Sequence, residues 1–445
     1  DKYKKEGYFG RVNYNYNDKY YGSFSFRHDG SSRFHKSSRW GNFWSAGLSW
    51  RMDQENFIKD INWINQLKLR ASYGETGNDQ TGGYYPYKDL YTLGYNNGSE
   101  AGIYFSSLGN KDLKWETQVS YDLALEFGVF NFLTGSVEFF SKQSKDLLFS
   151  VPVSTQTGSS SVWKNIGKVA NNGVEISLDA KLIDNHDWKW SIGANATFLK
   201  NEIKRLPDGM SEIIDGTKRL AVGQSIYDYW MRHTIGVNPD NGDLMFVFDQ
   251  ENATWSDRDC YEYKGQKVTK NRTKGAFHYA GSAIPDVYGG INTNLKYKNF
   301  DLGLVFSYQL GGVVRDGDYM QIMQVNNYGG SVHRDVFKAW QKPGDITDIP
   351  RWDASTSSNI NNGYIDRWLV SASYLSFKSA TLGYSLPKVW AQKATLQSVR
   401  FTLSGENLLM LAARKGLNPS DGFNGNSGYS YTPSRVFTLG VNVSF

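Results

Sequence analysis

Tyr227, Asp228, Trp230 and Arg232 fall within a window of six residues. Asn326, Asn327 and Tyr328 form a second group, and Asn424, Asn426, Tyr429 and Tyr431 a third. Aromatic faces beside planar amide, carboxylate and guanidinium groups suit a pyranose ring, which offers an apolar face and a polar edge. The candidate ligand-binding set is therefore Tyr227, Asp228, Trp230, Arg232, Asn326, Asn327, Tyr328, Asn424 and Tyr429. A competing reading stands beside it: the same aromatics can pack loops against one another.

Bond-breaking chemistry has no comparable signature. His28, His35, His186, His233, His278 and His333 form neither an HExxH nor a Cys–His spacing. No two glycines stand two apart, which excludes GxGxxG, and no GxSxG occurs. No catalytic residue, cofactor or metal site is expected. The single Cys260 rules out an intrachain disulfide framework and reads as a thiol with no assigned role. The net charge of +5 is spread along the chain without a basic stripe, which argues against nucleic acid as a partner.

The elements that would carry these groups are strands. Aromatics reach 15% of the 445 residues, with 45 Gly and only 10 Pro. That composition suits strands better than helices. No run of 18 apolar residues exists, so no transmembrane helix is expected. Alternation recurs throughout. Thr117, Val119, Tyr121, Leu123, Leu125 and Phe127 oppose Gln118, Ser120, Asp122, Ala124 and Glu126. Val174, Ile176, Leu178, Ala180 and Leu182 oppose Glu175, Ser177, Asp179 and Lys181. Period two over about 9–11 residues, with charges on the polar face, is what a tilted strand between lipid and a wet lumen needs. Trp115, Phe127, Trp188 and Phe198 stand at strand ends, where an interfacial aromatic girdle would sit.

Thirteen strands are predicted, at about 7–17, 19–28, 40–51, 65–75, 114–127, 132–149, 172–183, 188–203, 286–298, 300–312, 373–387, 398–411 and 434–445. Long excursions at about 76–113, 150–171, 204–285, 313–372 and 412–433 alternate with tight turns. Short turns on one side and long loops on the other is the habit of bacterial outer-membrane barrels. The fold class expected is all-β: a transmembrane antiparallel β-barrel. The two longest excursions exceed ordinary loops and should carry hairpins or helices of their own, including a short helix around residues 337–340. The last strand carries Phe437, Leu439, Val441, Val443 and Phe445 on one face. With Phe445 on the periplasmic side, every tight turn falls there and every long loop outside. Thirteen strands cannot close the usual even-stranded barrel, and bare edges in lipid are not viable. Further strands must therefore lie on an earlier part of the protein or on another chain, and residue 1 is expected to be an internal point.

Four stretches resemble the SusC-like TonB-dependent transporters of the Bacteroidetes outer membrane. GYFGRVNYNYNDKYY (7–21) with RHDGSSRF (27–34) is similar to the family's mid-barrel signature. LKLRASYGETGN (67–78) resembles the next, and IPDVYGG (284–290) with YKNFDL (297–302) the late-barrel motif. SYLSFKSATLGYSLP (373–387) and SGENL (404–408) resemble the C-terminal strands. There are departures. Trp44 stands where the family usually has proline, and Asn418-Pro419-Ser420 replaces an acidic DPE. A calcium-like acidic loop is reduced to Asp249-Gln250-Glu251-Asn252, which speaks against a metal at Asp249 or Asp257.

The resemblance implies a plugged barrel of about 22 strands, of which this chain is the C-terminal part, with the plug and remaining strands outside it. It also implies active import of oligosaccharides or peptides, energy from TonB through the plug, and a SusD-like surface lipoprotein as lid. Phe445 then resembles a barrel-assembly signal. Two rival readings are a passive porin-type barrel and a soluble β-sandwich that binds carbohydrate.

Overall fold

Residues that alternate in the sequence pair in register in the computed structural model, which describes residues 2–207, 209–324, 329–352, 362–422, 424–428 and 431–445. Asn326, Asn327, Tyr328 and Tyr429 lie outside the described residues. The chain divides into two compact units, one of residues 1–184, 190–212 and 221–224, the other of residues 185–189, 213–220 and 225–445.

The first unit is an antiparallel meander. Its long strands are β1 (Lys5–Tyr16), β2 (Tyr20–Ser31), β3 (Trp40–Arg51), β4 (Ile64–Asn78), β5 (Glu116–Val129), β6 (Leu133–Lys145), β7 (Lys168–Asp184) and β8 (Trp188–Arg205), each beside the next. Three-residue connection 17–19 and the β5–β6 turn are both built on paired left-handed residues: Asn17 and Asp18 (φ 52° and 54°), then Phe130 and Asn131 (φ 55° and 60°). Two consecutive positive φ angles match the right-handed twist of the flanking strands, which is why such turns are tight. The second unit continues the pattern with β9 (Val287–Tyr297), β10 (Phe300–Leu310), β11 (Tyr374–Ser385), β12 (Ser398–Ala412) and β13 (Val436–Ser444), again in sequential order. All thirteen predicted strands are present, with ends moved by a few residues.

The two faces of these strands differ as the alternation requires. In the second unit Leu295, Leu302, Leu382, Leu403 and Leu439 sit directly opposite one another across five strands. The last three are 45%, 50% and 77% exposed. A continuous row of exposed leucines is unstable against water and suits hydrocarbon. The opposite face is charged. Arg400 makes a two-pronged contact with Asp301 at 2.6 and 2.7 Å, passing over Gly383, where a Cβ would collide with both partners. In the first unit Arg70 reaches Glu126 at 2.6 Å and Glu138 at 3.1 Å, and Lys68 pairs with Glu126. Cross-strand pairs of opposite sign hold register at a wet surface.

Aromatic rings gather at the tight-turn ends. In the first unit Tyr16, Tyr20 and Trp50 form a chain of ring contacts, and Trp63 stacks on Phe130 at 5.4 Å. In the second, Trp188 lies 4.2 Å from Tyr297 and Phe300 lies 4.6 Å from Tyr384. Phe198 is exposed but lies inside β8, seven residues before its end, and not at the strand end expected. Trp115 is not a girdle residue. It is 5% exposed, packs with Phe34, Phe43 and Leu113, and donates its indole N–H to the Arg39 carbonyl at 2.8 Å. It precedes β5, and two of the residues that cover it, Phe34 and Phe43, arrive from a distant part of the unit. Spacing along its own strand could not reveal them.

Candidate functional site

The described residues of the excursions in the second unit form sheets and a core of their own. Asp228–Arg232 pairs antiparallel with Phe277–Ser282. Thr234–Val237, Leu244–Val247, Gln266–Thr269 and Cys260–Tyr263 make a four-stranded sheet in that spatial order. Val313–Asp316 takes Leu369–Ser371 on one side and Asn426–Ser427, parallel, on the other. Leu244, Phe246, Met323, Val336, Ala339, Ile349, Ile365 and Trp368 form one buried apolar core. That core is drawn from two excursions. The expected short helix is the 3₁₀ turn Arg334–Lys338.

Alternation within Asp228–Arg232 sorts the candidate residues. Tyr229 and Met231 are fully buried, whereas Asp228, Trp230 and Arg232 face the partly exposed side. Tyr229 donates its hydroxyl to the Gly425 carbonyl, and the Asp228 carboxylate accepts from the Ser225 N–H at 2.9 Å. Tyr227 packs against the Tyr229 cluster. Arg232 donates to the Gly275 carbonyl and lies 4.3 Å over the Phe277 ring. Asn426 accepts from Arg315 Nε at 3.0 Å. Asn424 is exposed and accepts its neighbour's N–H, from Asn426, and Tyr431 is 99% exposed. Most of the first group is thus committed to holding the excursions together. Trp230 is different. It faces Tyr279 at 4.9 Å and Phe277 at 6.0 Å, with the Arg219 guanidinium 4.3 Å from its ring. Cross-strand register brings these rings together: Trp230 opposes Tyr279 and Arg232 opposes Phe277. This half-exposed stack offers flat apolar faces edged by a cation.

A second feature is a cavity of about 520 Å³ lined by Arg258, Lys270, Lys274, Arg351, Asp243 and Asp259 among others. Arg351 pairs with Asp243 at 3.1 Å and Lys274 with Asp259 at 3.2 Å. Burial raises the Asp259 carboxyl, but hydrogen bonds from Asn271 and Lys274 outweigh it and hold it below the ordinary range. The cavity walls come from residues separated by as many as a hundred positions, and no local motif marks them.

Lys218 was equally invisible. Its ammonium lies 3.2 Å from the centre of the Tyr229 ring and donates to the Tyr227 carbonyl at 2.6 Å. Burial pushes it down to about 7; Asp228 pulls the other way and Arg315 adds to the fall. Below pH 7 the fold holds a buried ammonium. Between about 7 and the ordinary lysine value the unfolded chain keeps a proton that the folded one has lost, so stability rises with pH. Lys218→Met is therefore expected to raise the melting temperature of the excursions most at pH 6, with the gain shrinking towards pH 10. Protease cleavage within residues 225–285 during a thermal ramp reads it, and a gain independent of pH would sink the assignment.

Comparison with known proteins fits this architecture. Residues 1–408 match the model of the TonB dependent receptor-like β-barrel family. Over 98% of its length the chain is 33% identical to TonB-dependent receptor P3 of Formosa agariphila and 29% identical to TonB-dependent receptor SusC of Bacteroides thetaiotaomicron. It covers 45% and 43% of those proteins, and so spans less than half the length of the curated relatives it matches. The structure of the RagAB peptide transporter aligns with a TM-score of 0.84 at 27% identity, over 100% of this chain and 48% of that one. The exposed leucine row and the aromatic rings at the turns therefore have a medium, the bacterial outer membrane. The chain belongs to the TonB-dependent receptor family, and its long strands are strands of that family's outer-membrane β-barrel.

Proposed function

We propose that this chain is the C-terminal barrel portion of a TonB-energised importer of oligosaccharides or peptides, working with a SusD-like surface lipoprotein as its lid. The preceding plug domain carries the TonB contact. The excursions face the outside, and the tight turns with their aromatic rings face the periplasm. TonB-dependent receptors are transport proteins, not enzymes, and the sequence holds no catalytic motif.

The observation that carries this reading is the folded assembly of excursions in the second unit. Connections before β9, between β10 and β11, and between β12 and β13 leave from one end of the strands and share sheets and a core. A passive pore has no need of so elaborate a mouth. The Trp230–Tyr279–Phe277 stack with Arg219 supplies stacking faces and a cation to a sugar ring or a peptide side chain. The resemblance to the RagAB peptide transporter supports the peptide class, and the aromatic stack suits either.

The test uses the full-length transporter in cells with its neighbouring lipoprotein. Cells are given a tryptic peptide mixture and, separately, a set of neutral oligosaccharides. Depletion of one class that stops when TonB is deleted is the expected result. Uptake indifferent to TonB would identify a porin, and depletion of neither class would overturn the substrate assignment. Trp230→Ala should weaken binding of the imported class by about tenfold, the worth of one good aromatic stack. Titration calorimetry on the purified complex reads that loss.

A further inference from the structure

His233, His278 and Asp366 converge from three separate segments of the second unit. His233 joins Asp228–Arg232 to the next strand, His278 lies on Phe277–Ser282, and Asp366 opens the 3₁₀ turn Asp366–Trp368. The two imidazole rings stack with centroids 4.1 Å apart. His278 Nε2 lies 2.9 Å from Asp366 Oδ2. One ligand atom from each residue falls within 4.8 Å of the other two, and all three side chains are half-buried.

Two details favour a cation over a simple ion pair. The second oxygen of Asp366 accepts from both the backbone N–H and the hydroxyl of Thr234, the N–H at 2.9 Å, so its orientation is fixed from outside the cluster. Carboxylates held this way are what ordered metal ligands need. The donor set, two neutral imidazoles and a carboxylate, suits zinc and its first-row neighbours. Ligands of a tetrahedral zinc shell stand roughly 3.4 Å apart, given bonds of about 2.1 Å. Binding would rotate the half-exposed imidazoles out of their stack to reach that spacing.

We propose that His233, His278 and Asp366 bind a divalent first-row metal ion, zinc by preference, which ties residues 225–285 to residues 362–372. A fourth position stays open to water or to a donor atom of an incoming molecule. The backbone already brings these segments together, with Arg232 N–H donating to the Tyr364 carbonyl at 2.9 Å. The metal would turn a hydrogen-bonded junction into a coordinated one. In sequence the two histidines stand 45 residues apart and the aspartate 88 further on, which is why no motif signalled them. The assignment does not depend on what is transported.

The test titrates Zn²⁺ into the full-length transporter in detergent, purified without a histidine tag and stripped of metal. Competition with a chromogenic chelator measures affinity. The expected result is one zinc per chain in this site, weakened at least a hundredfold in His278→Ala and in His233→Ala. Zinc should also slow protease cleavage within residues 225–285 and 362–372 in the parent and leave the variants unchanged. His233→Gln and His278→Asn serve as second variants, and the heat-dependent gel shift of the barrel certifies folding in each. Zinc uptake equal in parent and double variant, or absent in the parent, would overturn the proposal and leave a hydrogen-bonded His–Asp junction.

Discussion

Leu403→Arg lowers the stability of the membrane-inserted barrel by about 1–3 kcal/mol, between the cost of a guanidinium on the lipid face at mid-depth and its cost near the interface. The size follows from position. Leu403 is flanked by Leu382 on β11 and Leu439 on β13, with Leu302 and Leu295 beyond, so the guanidinium has only hydrocarbon and leucine around it. The aromatic rings at the tight turns mark one interface, and the leucine row is the next layer in from it, Leu302 two residues from Phe300 and Leu382 two residues from Tyr384. A long arginine side chain can reach part of the way towards water, which lowers the cost from its mid-depth value. Thr402→Arg, one residue away, points to the opposite face, where Arg400 and Asp301 already sit, and should change stability by no more than about 1 kcal/mol. Reversible unfolding of the full-length protein from vesicles, by urea titration, compares the two. Equal effects would mean that the faces have been assigned wrongly.

Phe246→Ala is the second large effect. Phe246 is fully buried in the core it shares with Met323, Val336, Ile349, Ile365 and Trp368. Truncating a buried phenylalanine costs about 3–5 kcal/mol through lost transfer energy and the cavity left behind. Folded excursions carry only part of a domain's marginal stability, so a loss of that order opens them locally. The expected outcome is rapid protease cleavage within residues 234–269 and around residues 334–349, with β9 to β13 remaining resistant and the heat-dependent gel shift unchanged. Collapse of the whole barrel at the same denaturant concentration would show that the excursions and the strands form one cooperative unit.

The long strands were legible because alternation is a local property. Val174 to Leu182 or Phe437 to Val443 announce both their element and their outward face without knowledge of any partner. Glycine at 383 is less legible: its value lies in letting Arg400 cross to Asp301, and both are distant in sequence. The excursions were legible only as too long to be plain loops. Their architecture depends on pairings such as Tyr229 with Gly425, 196 positions apart, which no periodicity reports. The same limit explains the candidate residues. Asp228 and Arg232 have the chemistry of ligand binders, but Asp228 accepts from the Ser225 N–H and Arg232 donates to the Gly275 carbonyl. Trp230, on the same side of the strand, keeps a half-exposed ring beside Tyr279. A two-residue period applied to 228–232 puts these three on one side and does not report which of them the excursions use. Trp115 failed for the opposite reason: its period was right, and its covering residues Phe34 and Phe43 lie more than seventy positions earlier.

The parallel pairing of Asn426–Ser427 on Val313–Asp316 sets an order of events in time. Arg315 finds Asn426 111 positions later, after β11 and β12 have intervened. Such distant pairings are slow to form, because the chain between must be ordered first. The outer assembly is therefore completed only when the connection that follows β12 is in place. A barrel caught before that moment would be inserted yet mouthless, with one side of Val313–Asp316 open to cleavage.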